Sequence, residues 1–265
     1  MRIAYACPSY KRPLCRTARF CDRVRIYVDP SEADAYREAN EGFGEIVACD
    51  DGVQGNLPRV RNYILDVEFA NGADVVVMMD DDISGLFTWH CNEANHYGYV
   101  KRRIDGGEEL DEFVAMHSQL CFDWGFGMWV CNYNEDKLLY KHFAPFGTTK
   151  AALGQFMVFV KNELRFDESL PLKEDYDMAL QQLRRYRGVL CVNYAFVNGD
   201  FGNLKGGTAV RRNLSAERGQ YALFKKKWGS GIVRGCKGKR HSLGKGVVGG
   251  YDYSHPTVKV PIRGI

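Results

Sequence analysis

Three consecutive carboxylates, Asp80, Asp81 and Asp82, follow directly on the apolar run Val75-Val76-Val77-Met78-Met79. A run that is short, rich in β-branched residues and without alternation reads as a central strand covered on both faces. Its carboxyl end is the edge of an open α/β sheet at which ligands bind. Each Asp raises the cost of ionising the next unless a cation sits among them, and hard divalent ions such as Mg2+ or Mn2+ prefer oxygen ligands. The competing reading is a polar turn after a strand. A second acidic pair, Glu174-Asp175, opens a stretch in which Tyr176, Ala179, Leu180, Leu183 and Tyr186 fall on one helical face. Acids at a helix start are also what the helix dipole favours on its own.

The elements that must position these residues alternate between strand-like and helix-like patterns, as a mostly parallel sheet with helices on both faces requires. "RIAYAC" is a first strand, broken at Pro8, and "VRIYVD" a second. A helix follows in "SEADAYREANEGFG", with Asp29 or Ser31 to cap it, and "EIVACDDG" is a third strand. In "NLPRVRNYILDVEFANG" Leu57, Val60, Ile64 and Val67 share a face, Asn56 caps and Gly72 stops the helix. The acidic strand comes next. From Phe87 to about Ala152 the pattern is aromatic and Gly-rich, with one helix expected near Gly107 to Gln119. "GQFMVFV" and "VLCVNYAFV" are further strands on either side of the Glu174-Asp175 helix. The fold class is therefore α/β: a main domain over residues 1–200 and a basic C-terminal extension, 201–265, packed on it.

At 265 residues the chain can bury a substantial core, and its 45% hydrophobic and 26% charged residues are ordinary for a globular protein. It has no apolar stretch near membrane-spanning length and no signal-peptide pattern, so a cytoplasmic location is expected. The nine cysteines are scattered without a Cys-x-x-Cys pair, which argues against structural zinc or a disulfide framework. Charge is the asymmetric feature. Between Leu204 and Lys245 twelve Lys or Arg face a single acid, Glu217, so that this segment carries +11 and the rest −8 within a total of +3. An acidic body with a basic surface attracts polyanions. In "RGQYALFKKKWGSGIVRGCKGKRH" basic residues interleave with aromatics, a composition able to hold phosphates and stack on bases. A helix from Ser215 to Trp228 is expected there, with Tyr221, Phe224 and Trp228 inward and Lys225, Lys226 and Lys227 facing water.

The order "ACPSYKRP", "RVRN" on a helix, "MMDDD" after a strand and "LPLKEDYDMALQQL" resembles the GT-A fold (Rossmann-like) of nucleotide-sugar glycosyltransferases, of the family 2 type, over roughly residues 1–200. The segment "NGDFGNLKGGTAVRR" and the basic tail are more narrowly similar to the TET-associated glycosyltransferases of bacteriophages, which modify hydroxymethylated pyrimidines in DNA. The resemblance implies a UDP-sugar as the donor and Mn2+ or Mg2+ as the cofactor. It places Ser9 and Tyr10 in the nucleotide-binding loop and Arg61 near the donor. Asp80 is implied at the ribose or base, Asp82 at the metal, and Asp81 in a secondary role. Asp175, with Glu174 beside it in the catalytic pair, is implied as the general base of an inverting transfer. For a further metal ligand the choice lies between Asp200 and His255.

The resemblance points to 5-hydroxymethylcytosine in DNA as acceptor, in the host cytoplasm if the chain is phage-encoded. A glycan, protein or lipid acceptor at an anionic membrane surface is the alternative. A nucleotidyltransferase and a non-catalytic nucleic-acid-binding protein are the other readings. Arg61 taken alone is as readily a surface charge.

Overall fold

The computed structural model describes residues 1–92, 98–132, 135–136, 140, 142–149, 154–199, 206–210, 212–235, 247–248 and 251–260. The first strand, β1 (Ile3–Pro8), is followed by a short helix α1 (Arg16–Phe20), then β2 (Arg25–Val28), α2 (Ala33–Ala39) and β3 (Glu45–Ala48). Helix α3 (Leu57–Ala70) leads into β4 (Val75–Met79), β5 (Ile83–Asn92) and β6 (Gly98–Ile104). The chain continues through α4 (Glu108–Asp123), β7 (Met128–Asn132), β8 (Phe146–Gly147), β9 (Phe156–Val160), α5 (Glu174–Tyr186) and β10 (Leu190–Gly199). Helix α6 (Leu214–Trp228) and four short strands, β11 (Val233–Gly235), β12 (Val247–Val248), β13 (Tyr251–Asp252) and β14 (Thr257–Val258), complete it.

The first ten strands form one sheet in the order β3-β2-β1-β4-β9-β7-β10-β5-β6, with β8 paired to β10. Seven of its ten strands point the same way, and β5, β8 and β9 run against them. The sheet is thus mixed but mostly parallel in direction. All five residues of β4 are buried, because β4 lies between β1 and β9 and both of its faces are covered. Val75, Val77 and Met79 enter one core with Tyr36, Leu110 and Phe113. Val76 and Met78 enter the other with Ile64, Leu65, Phe69 and Leu180. Burying both sets of side chains makes the strand an apolar run without alternation.

Capping follows the expectation at α3, whereas α2 has Glu32 at its cap position without a side-chain hydrogen bond and Asp29 instead caps the short 3-10 turn Pro30–Glu32 ahead of it. Asp29 Oδ1 accepts from the Ser31 amide at 3.0 Å, at the turn that leads into α2. Asn56 Oδ1 accepts from the Arg59 amide at 3.3 Å, and Gly72 closes α3 at φ +89°. The helix expected near 107–119 runs over Glu108–Asp123.

Helix α6 lies against the sheet-covering α5. Phe224 is fully buried, while Tyr221 and Trp228 pack on the same core from its margin. One expectation needs correction here. Lys227 does not simply face water: its Nζ lies 2.7 Å from Asp167 Oδ2 and 2.8 Å from Asp177 Oδ1, and Asp177 is fully buried. A carboxylate so far from solvent requires a cation, and Lys227 of α6 supplies it.

Candidate functional site

β1 and β4 are adjacent and parallel, so the segments that leave their carboxyl ends emerge side by side. The first is the loop Ser9 to Arg12, the second the turn Asp80 to Asp82. Short α1 secures the acidic turn from behind: the Arg16 amide donates to the Asp81 carbonyl at 2.9 Å, and the Thr17 hydroxyl donates to that of Asp80. On the other flank the Asp80 amide donates to the Gln155 carbonyl at 2.8 Å. The backbone of all three acids is therefore fixed, and their side chains diverge.

Asp81 turns inward. It is ion-paired to Arg12 and accepts from Ser9 Oγ at 2.5 Å, while Ser9 Oγ also lies 2.8 Å from the Tyr36 hydroxyl. Ser9 and Asp81 are both buried and engaged with each other. Asp82 is equally buried, and its Oδ2 is 3.4 Å from Arg12 Nη1. Its Oδ1 has no hydrogen-bond partner among the described residues. Burial raises the pKa of Asp82, and the neighbouring Asp81 adds to the effect.

Asp80 points toward α3 and α5. Arg61, nearly inaccessible to solvent, donates from Nη2 to Asp80 Oδ1 at 2.9 Å and from Nη1 to Glu174 Oε1 at 3.3 Å. One guanidinium thus joins the acidic turn to the first turn of α5. Burial pushes the Asp80 carboxyl up to about 6 against the pull of Arg61, with Asp82 assisting. Burial also raises Glu174, and Asp175 beside it adds to the rise. Asp175 is half-buried, accepts from the Tyr176 amide at 2.8 Å and is likewise raised, mainly by burial. Carboxyls with pKa values lifted toward neutrality, gathered at one sheet edge, are what acid-base chemistry at pH 7 calls for.

Of the residues expected from the sequence, Arg61, Asp80, Glu174 and Asp175 belong to one cluster by direct contact or charge coupling, and Ser9 and Asp81 to a second network behind it. Tyr10 lies in the loop above; its carbonyl accepts from the Gly207 amide at 2.9 Å, and its ring is 5.0 Å from Lys11 Nζ. Gly206 approaches the same loop so closely that a Cβ would stand 2.5 Å from the Lys11 carbonyl oxygen. Asp200 lies outside the described residues. Exposed His255 pairs through Nδ1 with Asp252 Oδ2 at 3.0 Å. The sequence reading missed Arg12 and Tyr36. The signal for Arg12 was its place two residues beyond Tyr10 in a loop leaving a strand, and Tyr36 sat among the apolar positions of α2 as an ordinary core residue.

Among the described residues, Asp82 Oδ1 is a buried carboxylate oxygen without a hydrogen-bond partner, which a divalent ion would complete. Among the described residues no group of three His, Cys, Asp or Glu could hold a metal by itself. That arrangement fits Mg2+ or Mn2+ bound by one or two carboxylates together with water and substrate phosphates, and does not fit an all-protein cage.

No family model matches the chain, and no curated protein matches it. Among solved structures it is similar to a mycobacterial protein, with 11% identity, 97% of this chain and 83% of that one covered, and a TM-score of 0.50. It is also similar to glucosyl-3-phosphoglycerate synthase from Mycobacterium tuberculosis in complex with Mn2+, UDP-glucose and phosphoglyceric acid, at 11% identity over 87% of this chain and 82% of that one, TM-score 0.49. A third is TarS 1-349 from S. aureus, at 12% identity and TM-score 0.46, where 74% of this chain matches and spans 60% of that one. What the likeness to the mycobacterial protein shows is the fold, a single α/β domain around this mixed sheet. No helix among the described residues is long and apolar enough to cross a membrane.

Proposed function

We propose that the chain is a GT-A glycosyltransferase that moves a sugar from a nucleotide-sugar donor, a UDP-sugar, with the help of Mn2+ or Mg2+. The observation that carries this reading is the Arg61 guanidinium, buried between Asp80 and Glu174, since it draws three separate sequence motifs into one site next to the unpartnered oxygen of Asp82. Asp82 would hold the ion, which when bound stabilises negative charge on the departing diphosphate. Asp80, fixed by Arg61, orients the nucleoside. Asp175 takes the proton of the acceptor hydroxyl as that oxygen attacks the anomeric carbon, and the transfer is inverting. Glu174, held by Arg61, keeps the pair in register. Arg12 offsets the charge of Asp81 and Asp82 and keeps the acidic turn compact.

The proposed acceptor is a hydroxymethylated pyrimidine, 5-hydroxymethylcytosine, in DNA. It is supported by the charge asymmetry of the sequence and by Arg218, Lys226 and Arg234, which are exposed on and after α6. The test is to incubate the protein with Mn2+, a panel of UDP-sugars and DNA containing or lacking 5-hydroxymethylcytosine, then digest to nucleosides for mass spectrometry. A base heavier by one sugar, only in the hydroxymethylated DNA, is the expected product. Transfer to a glycan or lipid instead would replace the acceptor, and attachment of a nucleotidyl group would replace the reaction.

A further inference from the structure

The first turn of α5 carries the proposed base, whose Oδ1 accepts from the Tyr176 amide at 2.8 Å, but the cap residue ahead of it adds no such bond. Lys173, at the cap position with φ −141° and ψ 18°, gives it no side-chain hydrogen bond. Its constraint comes from another element. Lys173 is fully buried and donates from Nζ to the Leu172 carbonyl at 2.8 Å and to Glu217 Oε2 at 2.5 Å; Glu217 is fully buried as well. One helical turn on, buried Asp177 accepts from Trp228 Nε1 at 2.7 Å and from Lys227 Nζ at 3.0 Å. Glu217, Lys227 and Trp228 all belong to α6.

Further contacts reinforce the pairing. Gln220 of α6 accepts from the Leu172 amide at 3.4 Å and donates to the Ser169 carbonyl at 3.0 Å, and the Tyr176 and Phe224 ring centroids are 6.0 Å apart. Glu174 and Asp175 are therefore suspended between two anchors, Lys173 and Asp177, both tied to the same helix. Arg212, just ahead of α6, brings its Nε to 2.9 Å from Glu217 Oε1 and places a second cation on the same carboxylate.

A buried ion pair is a poor means of gaining stability, since apolar residues of equal volume often do as well or better. What a charge-assisted hydrogen bond adds is direction. We propose that α6 is a positioning element of the active site: through Lys173–Glu217 on one side and Asp177 with Lys227 and Trp228 on the other, it holds the Glu174–Asp175 turn in catalytic register. The catalytic meaning of this latch rests on the glycosyltransferase reading above. Lys173, Glu217, Asp177 and Trp228 act only through the carboxylates they place. The most basic of the described helices thereby works on the proton-transfer step from behind, whatever the acceptor.

The test compares wild type with Lys173→Met/Glu217→Met, which removes both charges and keeps the volume, and with Glu217→Gln, which leaves the ammonium buried. Three quantities are read: melting temperature, amide hydrogen exchange at residues 174–178, and kcat with donor KM. The double variant is expected to melt close to wild type, to exchange at that turn about tenfold faster, and to lose about a hundredfold in kcat with donor KM nearly constant. Glu217→Gln should show the same local loosening together with a lower melting temperature. Turn exchange and kcat at wild-type values in the double variant would overturn the proposal, as would a loss of kcat matched by uniformly faster exchange across the whole chain. If the wild-type protein transfers no sugar from any nucleotide sugar, the reaction assigned above is wrong, and the exchange comparison decides the latch by itself.

Discussion

Asp82 lies in the turn after a buried strand with one oxygen paired to Arg12 and the other unpartnered, a costly state for a carboxylate unless something completes it. Asp82→Asn should therefore abolish transfer while the protein still melts cooperatively, and EDTA should reproduce the loss in the wild type; full activity after EDTA would remove the metal from the mechanism. In the proposed reaction Asp175 serves the acceptor side. Asp175→Asn is expected to lower turnover by orders of magnitude with donor affinity, measured by calorimetry, nearly unchanged. If the variant instead loses donor binding, the residue sits on the wrong side of the reaction. The sequence made the acids visible because three carboxylates after an apolar strand are unusual. It could not show that the middle one, Asp81, turns inward to Arg12 and Ser9, since that depends on which way a fixed turn points each side chain.

Among the elements, those with a strong apolar pattern were legible: β1, β4, α3 and α5 stand where the sequence places them, and α6 begins one residue earlier. β5 and β6 were not. β6 is an edge strand whose Lys101, Arg102 and Arg103 are exposed, and charge at an edge guards against pairing with another chain while erasing the strand signal. Helix α1 is only five residues long and has no side-chain cap, so nothing in its composition announces it. The basic residues of α6 divide in a way composition does not reveal. Arg218→Glu/Lys226→Glu should weaken DNA binding and flatten its salt dependence without lowering the melting temperature, because both side chains are exposed. Lys227→Glu should do the opposite and destabilise the fold, since it confronts buried Asp177 with a second negative charge. Equal effects of the two changes in calorimetry and DNA titration would contradict this division.

At the scale of the whole molecule, a single buried imidazole ties stability to acid. His117, fully buried on α4, lies 2.7 Å through Nδ1 from the Phe113 carbonyl and 2.8 Å through Nε2 from the Tyr194 hydroxyl. The carbonyl can only accept, so Nδ1 carries a proton, and in the neutral ring Nε2 accepts from the tyrosine. Burial pushes its pKa down to about 4 from the usual 6.5. Between those values the unfolded chain takes up a proton that the folded chain refuses, so stability falls as the pH drops through that window, by about 3 kcal/mol. His117→Gln should flatten the dependence of melting temperature on pH between 6.5 and 4, and an unchanged slope would place the acid-sensitive group elsewhere.

The anchors between α5 and α6 also bear on what happens when the protein is broken. A protease nick or premature stop after residue 200 would take away Glu217, Lys227 and the Phe224 plug together, and would strip the Tyr10 carbonyl of the Gly207 amide. Lys173 and Asp177 would then be charges facing an apolar core with no counter-ion. No donor-hydrolysing remnant is to be expected from such a fragment; it should be cleared as unfolded chain, so that damage confined to the tail would silence the proposed nucleotide site at the opposite end of the sequence.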